Sequence, residues 1–183
     1  MIGCVGSTAP EIILRGSVFA VERLLVPLAG SATAAREIVR HPGAVCVIGE
    51  FDDGRLVTIR NFRVATNQWM VEFCAGKLEL GEPPAQAALR ELEEETGYSA
   101  ASIESLGIFY TSPGFTDERM HAFVARGLTP CPARLQPDER IEVVIRDPCE
   151  FERMIHGGAV ADGKSIAAFL LWRLHRAQRT SGG

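Results

Sequence analysis

Six glutamates crowd the stretch from Gly76 to Tyr98, GKLELGEPPAQAALRELEEETGY, and Glu91, Glu93, Glu94 and Glu95 nearly touch in sequence. Like charges one helical turn apart repel by roughly a few tenths of a kcal/mol per pair. The cluster becomes favourable when a cation sits in it. Carboxylate oxygens are hard ligands, and they select Mg2+, Mn2+ or Ca2+ over softer metals.

A helix has to present these groups. Gly81-Glu82-Pro83-Pro84 is a start signal, because prolines suit a first turn and an acid favours a helix N-terminus. Gly97 stands where a left-handed residue closes a helix. Ala85, Ala88, Leu89, Leu92 and Thr96 are expected on one face, packed on a core. Glu91, Glu94 and Glu95 are expected on the opposite side, pointing into one volume. Arg90 is placed to brace a glutamate of the cluster by a bidentate ion pair.

The stretch resembles the Nudix box: a glycine, five residues, a glutamate, seven residues, then Arg-Glu-(apolar)-x-Glu-Glu-x-Gly-(apolar). The matching residues are Gly76, Glu82, Arg90, Glu91, Leu92, Glu94, Glu95, Gly97 and Tyr98. The surroundings look like the ADP-ribose pyrophosphatase branch, the ADP-sugar diphosphatases, over nearly the whole chain. Asn61-Phe-Arg63 is similar to that branch's Gln-Tyr-Arg segment. Glu72-Phe-Cys-Ala-Gly76 resembles its Glu-Leu-Pro-Ala-Gly, departing at Cys74. Ser112-Pro-Gly-Phe-Thr-Asp-Glu118 is similar to its Ser-Pro-Gly-Phe-Ser-Asp-Glu loop, with Pro113 sixteen residues beyond Gly97. His41 to Val45 and Gly158 to Lys164 are similar to two further segments.

The resemblance implies an α/β class fold, the Nudix α/β/α sandwich with a mixed β-sheet, plus a small N-terminal β-strand region. Residues 1–40 are then N-terminal strands and a dimerisation arm, and 41–180 the hydrolase domain. The implied activity is Mg2+-dependent hydrolysis of ADP-ribose to AMP and ribose 5-phosphate, with Mn2+ as the alternative ion. UDP-glucose, GDP-mannose and ADP-glucose are alternative substrates. A non-catalytic nucleotide-sugar sensor is the competing class, but such a module is expected to lose acidic ligands, and this chain keeps them all.

Charge then suggests roles. Glu91 and Glu95 are the first metal ligands, with Glu94 sharing the site. The resemblance adds the Ala75 carbonyl. Glu82 supports the cluster or binds a further metal. A separate base is still needed. Glu139 is the candidate, since its place before Ile141-Glu-Val-Val resembles where that branch keeps its catalytic glutamate; Glu118 and Glu142 are fallbacks, and Glu139 is grouped with Arg90 and Glu94 as the catalytic set. Arg63, Pro113, Gly114, Phe115 and Glu118 are the expected substrate contacts. Base stacking is open among Phe115, Phe62, Tyr110 and Trp69, although Phe62 and Trp69 suit a core better.

The elements that must position these residues are short. Glu11–Glu22 and Arg23–Leu28 are apolar, β-branched runs, broken over 29–34 and resumed at Arg36–Arg40. Ala44–Gly49 reads as a buried strand. Asp52-Asp53-Gly54 is a hairpin turn, followed by the alternating Arg55–Arg63. Trp69–Cys74 is the strand that enters the acidic turn. Strands follow at Ile103–Tyr110, Met120–Ala125 and Ile141–Ile145, with a Pro-rich loop over Leu128–Glu139. Helices are expected at Pro148–Ile155 and Lys164–Gln178, the latter burying Ile166, Phe169, Leu170 and Leu174.

Composition sets the outer bounds. At 183 residues, 46% hydrophobic and 23% charged, one globular domain is expected. A net charge of −4 gives no reason to expect nucleic acid or a membrane surface as partner. Cys4, Cys46, Cys74, Cys131 and Cys149 are scattered without a CxxC, which reads as reduced thiols in a cytoplasmic protein. Cys74 is expected to pack rather than react. A frayed tail is expected from Thr180.

Overall fold

The structure is a computed structural model, and it describes residues 9–29, 32–137 and 139–181. Cys4, the Gly30-Ser31 part of the expected break and the Gly182-Gly183 end of the tail lie outside the described residues.

Three antiparallel strands lead the chain: β1 (Glu11–Arg15), β2 (Ala20–Pro27) and β3 (Thr33–Arg40), in that spatial order. The run read from Glu11 to Glu22 is divided. Gly16 turns the chain, its N–H donating to the Phe19 carbonyl at 2.9 Å. β3 also starts at Thr33, not Arg36, because cross-strand pairing with β2 recruits the small residues before it.

The main sheet is mixed. Its path runs β10 (Ile141–Arg146), β5 (Leu56–Arg63), β4 (Ala44–Glu50), β9 (Arg119–Pro130), β8 (Tyr98–Tyr110). Only β4 and β9 pair in parallel on this path. β4 is buried along its whole length. Its alternate residues feed two cores, as the two-residue strand period requires. Val45 and Val47 join Ala87, Ala88 and Leu92 of α1 (Pro84–Thr96). Cys46 and Ile48 join Phe151 of α2 (Pro148–His156) and Phe169 and Trp172 of α3 (Gly163–Ser181). The result is an α/β/α sandwich.

Several expectations shift. β5 alternates, but Leu56 to Ile59 are all buried, since the sheet is covered on both faces. The single strand from Trp69 to Cys74 is two: β6 (Gln68–Glu72) pairs β5, and β7 (Cys74–Lys77) pairs β4. Phe73 sits at the break, its N–H donating to Ser165 Oγ at 2.8 Å. Gly76 is therefore a strand residue, not the start of a turn. β8 begins at Tyr98 and β9 runs on to Pro130, because the two pair along nearly their full length. α3 continues to Ser181 and buries Ser165, Ala168, Phe169 and Trp172, whereas Leu170 and Leu174 are 58% and 54% exposed.

α1 starts as the prolines suggest. Pro83 is the extended N-cap and its carbonyl accepts from Gln86 and Ala87. No acid lies in the first turn. Gly97 closes the helix at φ +70°, and a Cβ there would meet the Cys131 carbonyl at 3.0 Å. Among the described residues no helix is long and apolar enough to cross a membrane.

Candidate active site

The acidic wall grows from the contact of β7 with α1. Glu91 and Glu95 are buried on the same side as Ala88 and Leu92, not opposite them as the helical pattern suggests. The reason is β7, which offers them space and a donor. Glu95 Oε2 accepts the Ala75 N–H at 3.0 Å. Glu91 lies over Gly76.

Burial pushes the Glu95 carboxyl up to about 7; bonds from the Ala75 N–H and Cys74 oppose the shift, and the charges of Glu91 and Glu139 add to it. Burial also raises Glu91, against the pull of Arg90. Burial, then Glu95, holds the Cys74 thiol well above its usual value, which leaves it a packing residue rather than a nucleophile.

Arg90 ties the cluster together. Its guanidinium grips Glu82 in a fork, Nε to Oε1 and Nη2 to Oε2, both at 2.9 Å. Nη1 donates to Glu91 at 2.7 Å and Glu94 at 3.2 Å. The hydrogen bond to Glu82 is the main cause that raises the Arg90 pKa, and the same bond lowers that of Glu82. Arg90 is thus a positioning residue, and Glu82 is its main partner.

These groups line an open cavity of about 840 Å³. Glu91, Glu94, Glu95 and Arg90 form one side, together with Ala75 and Gly76. Arg63 and Lys164 also line it, as do Glu118, Glu139 and, from the turn after β1, Ser17 and Val18. Arg63 is held in a fork by fully buried Glu72, at 2.8 and 2.5 Å. Lys164 reaches the same carboxylate at 2.5 Å and Asp162 at 2.9 Å.

The remaining expected residues divide. Glu139 lines the cavity, and its carboxylate accepts the Gln136 N–H at 2.7 Å. Glu118 also lines it, bonded by Thr111 Oγ1 at 2.6 Å. Glu142 does not. It sits on β10, paired with Arg60 at 2.5 Å. Pro113, Gly114 and Phe115 are exposed and lie outside the cavity. Their loop is tied to β3 instead. Val39 N–H donates to the Phe115 carbonyl at 2.8 Å, and Asp117 binds Arg40 and the His41 N–H. Trp69 is 42% exposed, edge-on to Phe62 at 5.8 Å, and neither ring lines the cavity. Tyr110 lines a neighbouring hollow of about 550 Å³ together with Glu118 and Lys164.

Among the described residues no three His, Cys, Asp or Glu side chains converge into a ready-made metal cage. Arg90 holds one oxygen each of Glu91 and Glu94. The donor set still fits a hard dication. Burial, with the charge of neighbouring carboxylates added, raises both Glu91 and Glu95, the strain a divalent cation relieves.

Glu72 was not singled out from sequence, nor was a role assigned to Lys164 or Asp162. An acid in the apolar run Met70-Val71-Glu72-Phe73 was the available signal.

Residues 39–169 match the family described as NUDIX domain. The chain is 39% identical over 171 residues to an ADP-ribose pyrophosphatase of Bacillus subtilis (strain 168), covering 92% of each. It is 40% identical over 169 residues to a methanol dehydrogenase activator of Bacillus methanolicus, covering 91% of each. It is 33% identical to a GDP-mannose pyrophosphatase of Citrobacter koseri, covering 76% of this chain and 80% of that one. A crystal structure of an ADP compounds hydrolase superposes with a TM-score of 0.82 at 22% identity, over 96% of this chain and 95% of that one.

Proposed function

The chain belongs to the NUDIX family, and from that premise we propose that it is a hydrolase of nucleoside diphosphate sugars that cleaves ADP-ribose to AMP and ribose 5-phosphate. One observation carries the reading: a buried carboxylate wall and the cations Arg63 and Lys164 line one cavity, with Glu139 in the same lining. A diphosphate needs both, oxygen ligands for the metal that travels with it and cations for its own oxygens. The ADP-ribose choice is supported by the Bacillus subtilis relative. GDP-mannose is the second reading, supported by the Citrobacter relative.

Glu91, Glu95 and Glu94 would hold Mg2+ or Mn2+, with the Ala75 carbonyl. Such an ion would supply Lewis acidity to activate water and positive charge to offset the phosphates. Glu139 takes the proton from the attacking water. Arg63 binds phosphate oxygen and orients the diphosphate for in-line attack on phosphorus, which breaks the bridging P–O bond and releases AMP and ribose 5-phosphate. Arg90 holds Glu82, Glu91 and Glu94 in place throughout.

The working form we propose is a cytoplasmic homodimer. Ile12, Ile13, Leu14, Val18 and Phe19 are exposed apolar residues of the N-terminal sheet region, suited to a second copy. Cys46, Cys74, Cys131 and Cys149 are free thiols, in keeping with a reducing compartment. With a partner in place, Pro113, Gly114 and Phe115 would take part in substrate binding at the subunit boundary.

The deciding experiment follows AMP release from ADP-ribose, ADP-glucose, UDP-glucose and GDP-mannose with Mg2+ and with excess chelator. ADP-ribose is expected to turn over fastest, and only with the ion. Absence of turnover for every nucleotide sugar in metal-loaded protein would overturn the enzyme reading.

A further inference from the structure

We propose that Arg140 is a positioning residue: given Glu139 as the base, the stack of Arg140 on Phe62 sets that carboxylate against the strand that carries Arg63.

The two pairs are neighbours in the chain. Arg140 follows Glu139, and Phe62 precedes Arg63. Glu139 and Arg63 line the cavity, whereas Arg140 and Phe62 do not. Successive residues of a strand point to opposite faces, so a clasp on one face sets what the other face presents. Arg140 stands one residue before β10, yet its carbonyl accepts the Phe62 N–H at 3.1 Å. That bond carries the β10–β5 pairing one step past Ile141 and Asn61. The Arg140 guanidinium then lies over the Phe62 ring, 5.6 Å from its centroid.

Phe62 is itself held. It pairs in register with Trp69 of β6, whose ring it meets edge-on at 5.8 Å. Arg60 lies over Trp69 at 5.3 Å and binds Glu142 at 2.5 Å. The ring is a fixed platform built from β5, β6 and β10.

Glu139 needs an anchor outside its own turn. Its N–H donates to the Gln136 carbonyl at 3.0 Å, and its carboxylate accepts the Gln136 N–H at 2.7 Å. Both bonds are internal to the turn and leave its direction against the sheet open. Residues 132–137 before it are exposed. Their far end is tied to α1, where the Arg134 N–H donates to the Glu94 carbonyl at 2.9 Å. Arg140 supplies the near tie. An exposed cation–π contact is a weak source of fold stability. Placed one residue from Glu139, it fixes a direction instead.

The test measures kcat and KM for ADP-ribose in Arg140→Met, Glu139→Gln and the double variant, with hydrogen exchange and melting temperature. Arg140→Met is expected to lower kcat about tenfold with little change in KM, within the ~10²-fold that a misplacement of roughly 1 Å costs. Arg140→Lys, which keeps a cation for the ring, should recover part of the loss. In the Glu139→Gln background Arg140→Met should cost nothing further, because the group it aims is gone. The Phe62 N–H should exchange faster in Arg140→Met at an unchanged melting temperature. Unchanged kcat in the single variant, an equal loss in both backgrounds, or unchanged exchange would overturn the proposal. If Arg140→Met does not fold, Phe62→Leu removes the ring, keeps the backbone bond and is read the same way. A Glu139→Gln protein as active as the parent defeats the base assignment and the proposal with it. A strong Glu139 effect with no Arg140 effect defeats the proposal alone.

Discussion

The Glu91 carboxylate occupies the space where a side chain at Gly76 would begin. A Cβ on Gly76 would stand 2.0 Å from Glu91 Cδ and 2.1 and 2.4 Å from its oxygens. No real Cβ tolerates that approach, so a bare Gly76 leaves the room that the Glu91 carboxylate fills.

Gly76→Ala should therefore displace Glu91 and remove Mg2+-dependent turnover while the sheet still forms. The clash is with the far end of a flexible side chain, so Glu91 swings aside and the melting temperature is expected to change little. AMP release and thermal melting measured together check it. A variant with normal activity would show that Glu91 is not held at Gly76.

Arg90→Lys keeps a charge but cannot reproduce the Glu82 fork and the bonds to Glu91 and Glu94 at once. Partners that orient metal ligands typically cost about 10–100-fold when altered. We expect the Mg2+ concentration for half-maximal rate to rise by that order, with full Mg2+ recovering part of the activity. A Mg2+ titration of the rate checks it.

Glu139→Gln removes the carboxylate proposed as proton acceptor while keeping the shape of the side chain. Loss of a general base is expected to lower kcat about 10²–10⁴-fold with little change in KM. Unchanged turnover would remove Glu139 from the mechanism and bring forward Glu118, which lines the same cavity.

Asp117 ties the loop after β8 to the N-terminal sheet. It pairs with Arg40 at 3.1 Å and accepts the His41 N–H at 2.9 Å. Asp117→Ala leaves the His41 N–H without its acceptor, a loss of about 1–3 kcal/mol. Faster hydrogen exchange near His41, with the main sheet unaffected, is the expected signature.

The motif was legible because its information is local. Gly76, Glu82, Arg90, Glu91, Glu94, Glu95 and Gly97 belong to one strand, one turn and one helix, and turn-and-helix spacing is written in adjacent residues. Even there, the helix was turned the wrong way. Periodicity sorts residues by polarity, so Glu91 and Glu95 read as outward. They face inward because β7 lies beneath them with a bare Gly76 and an Ala75 N–H that donates to Glu95. Leu170 and Leu174 fail in the mirror sense, apolar by type yet exposed, because Phe169 and Trp172 take the face that meets the sheet.

By itself, the sequence determined the fold family, the acidic cluster on one helix and the Arg90 brace. Arg63 is an expected contact from the sequence, but its union with Glu72 and Lys164 was decided only by tertiary structure. Arg63, Glu72, Asp162 and Lys164 lie on three separate elements and a loop, and nothing in their spacing says that one buried carboxylate will join two cations. Strand pairing and helix docking bring them together, and those depend on which apolar faces meet across the whole chain. Helix geometry is set by contacts three and four residues apart. The union of Glu72 with Lys164 spans ninety-two, and only the packed core fixes a contact at that range.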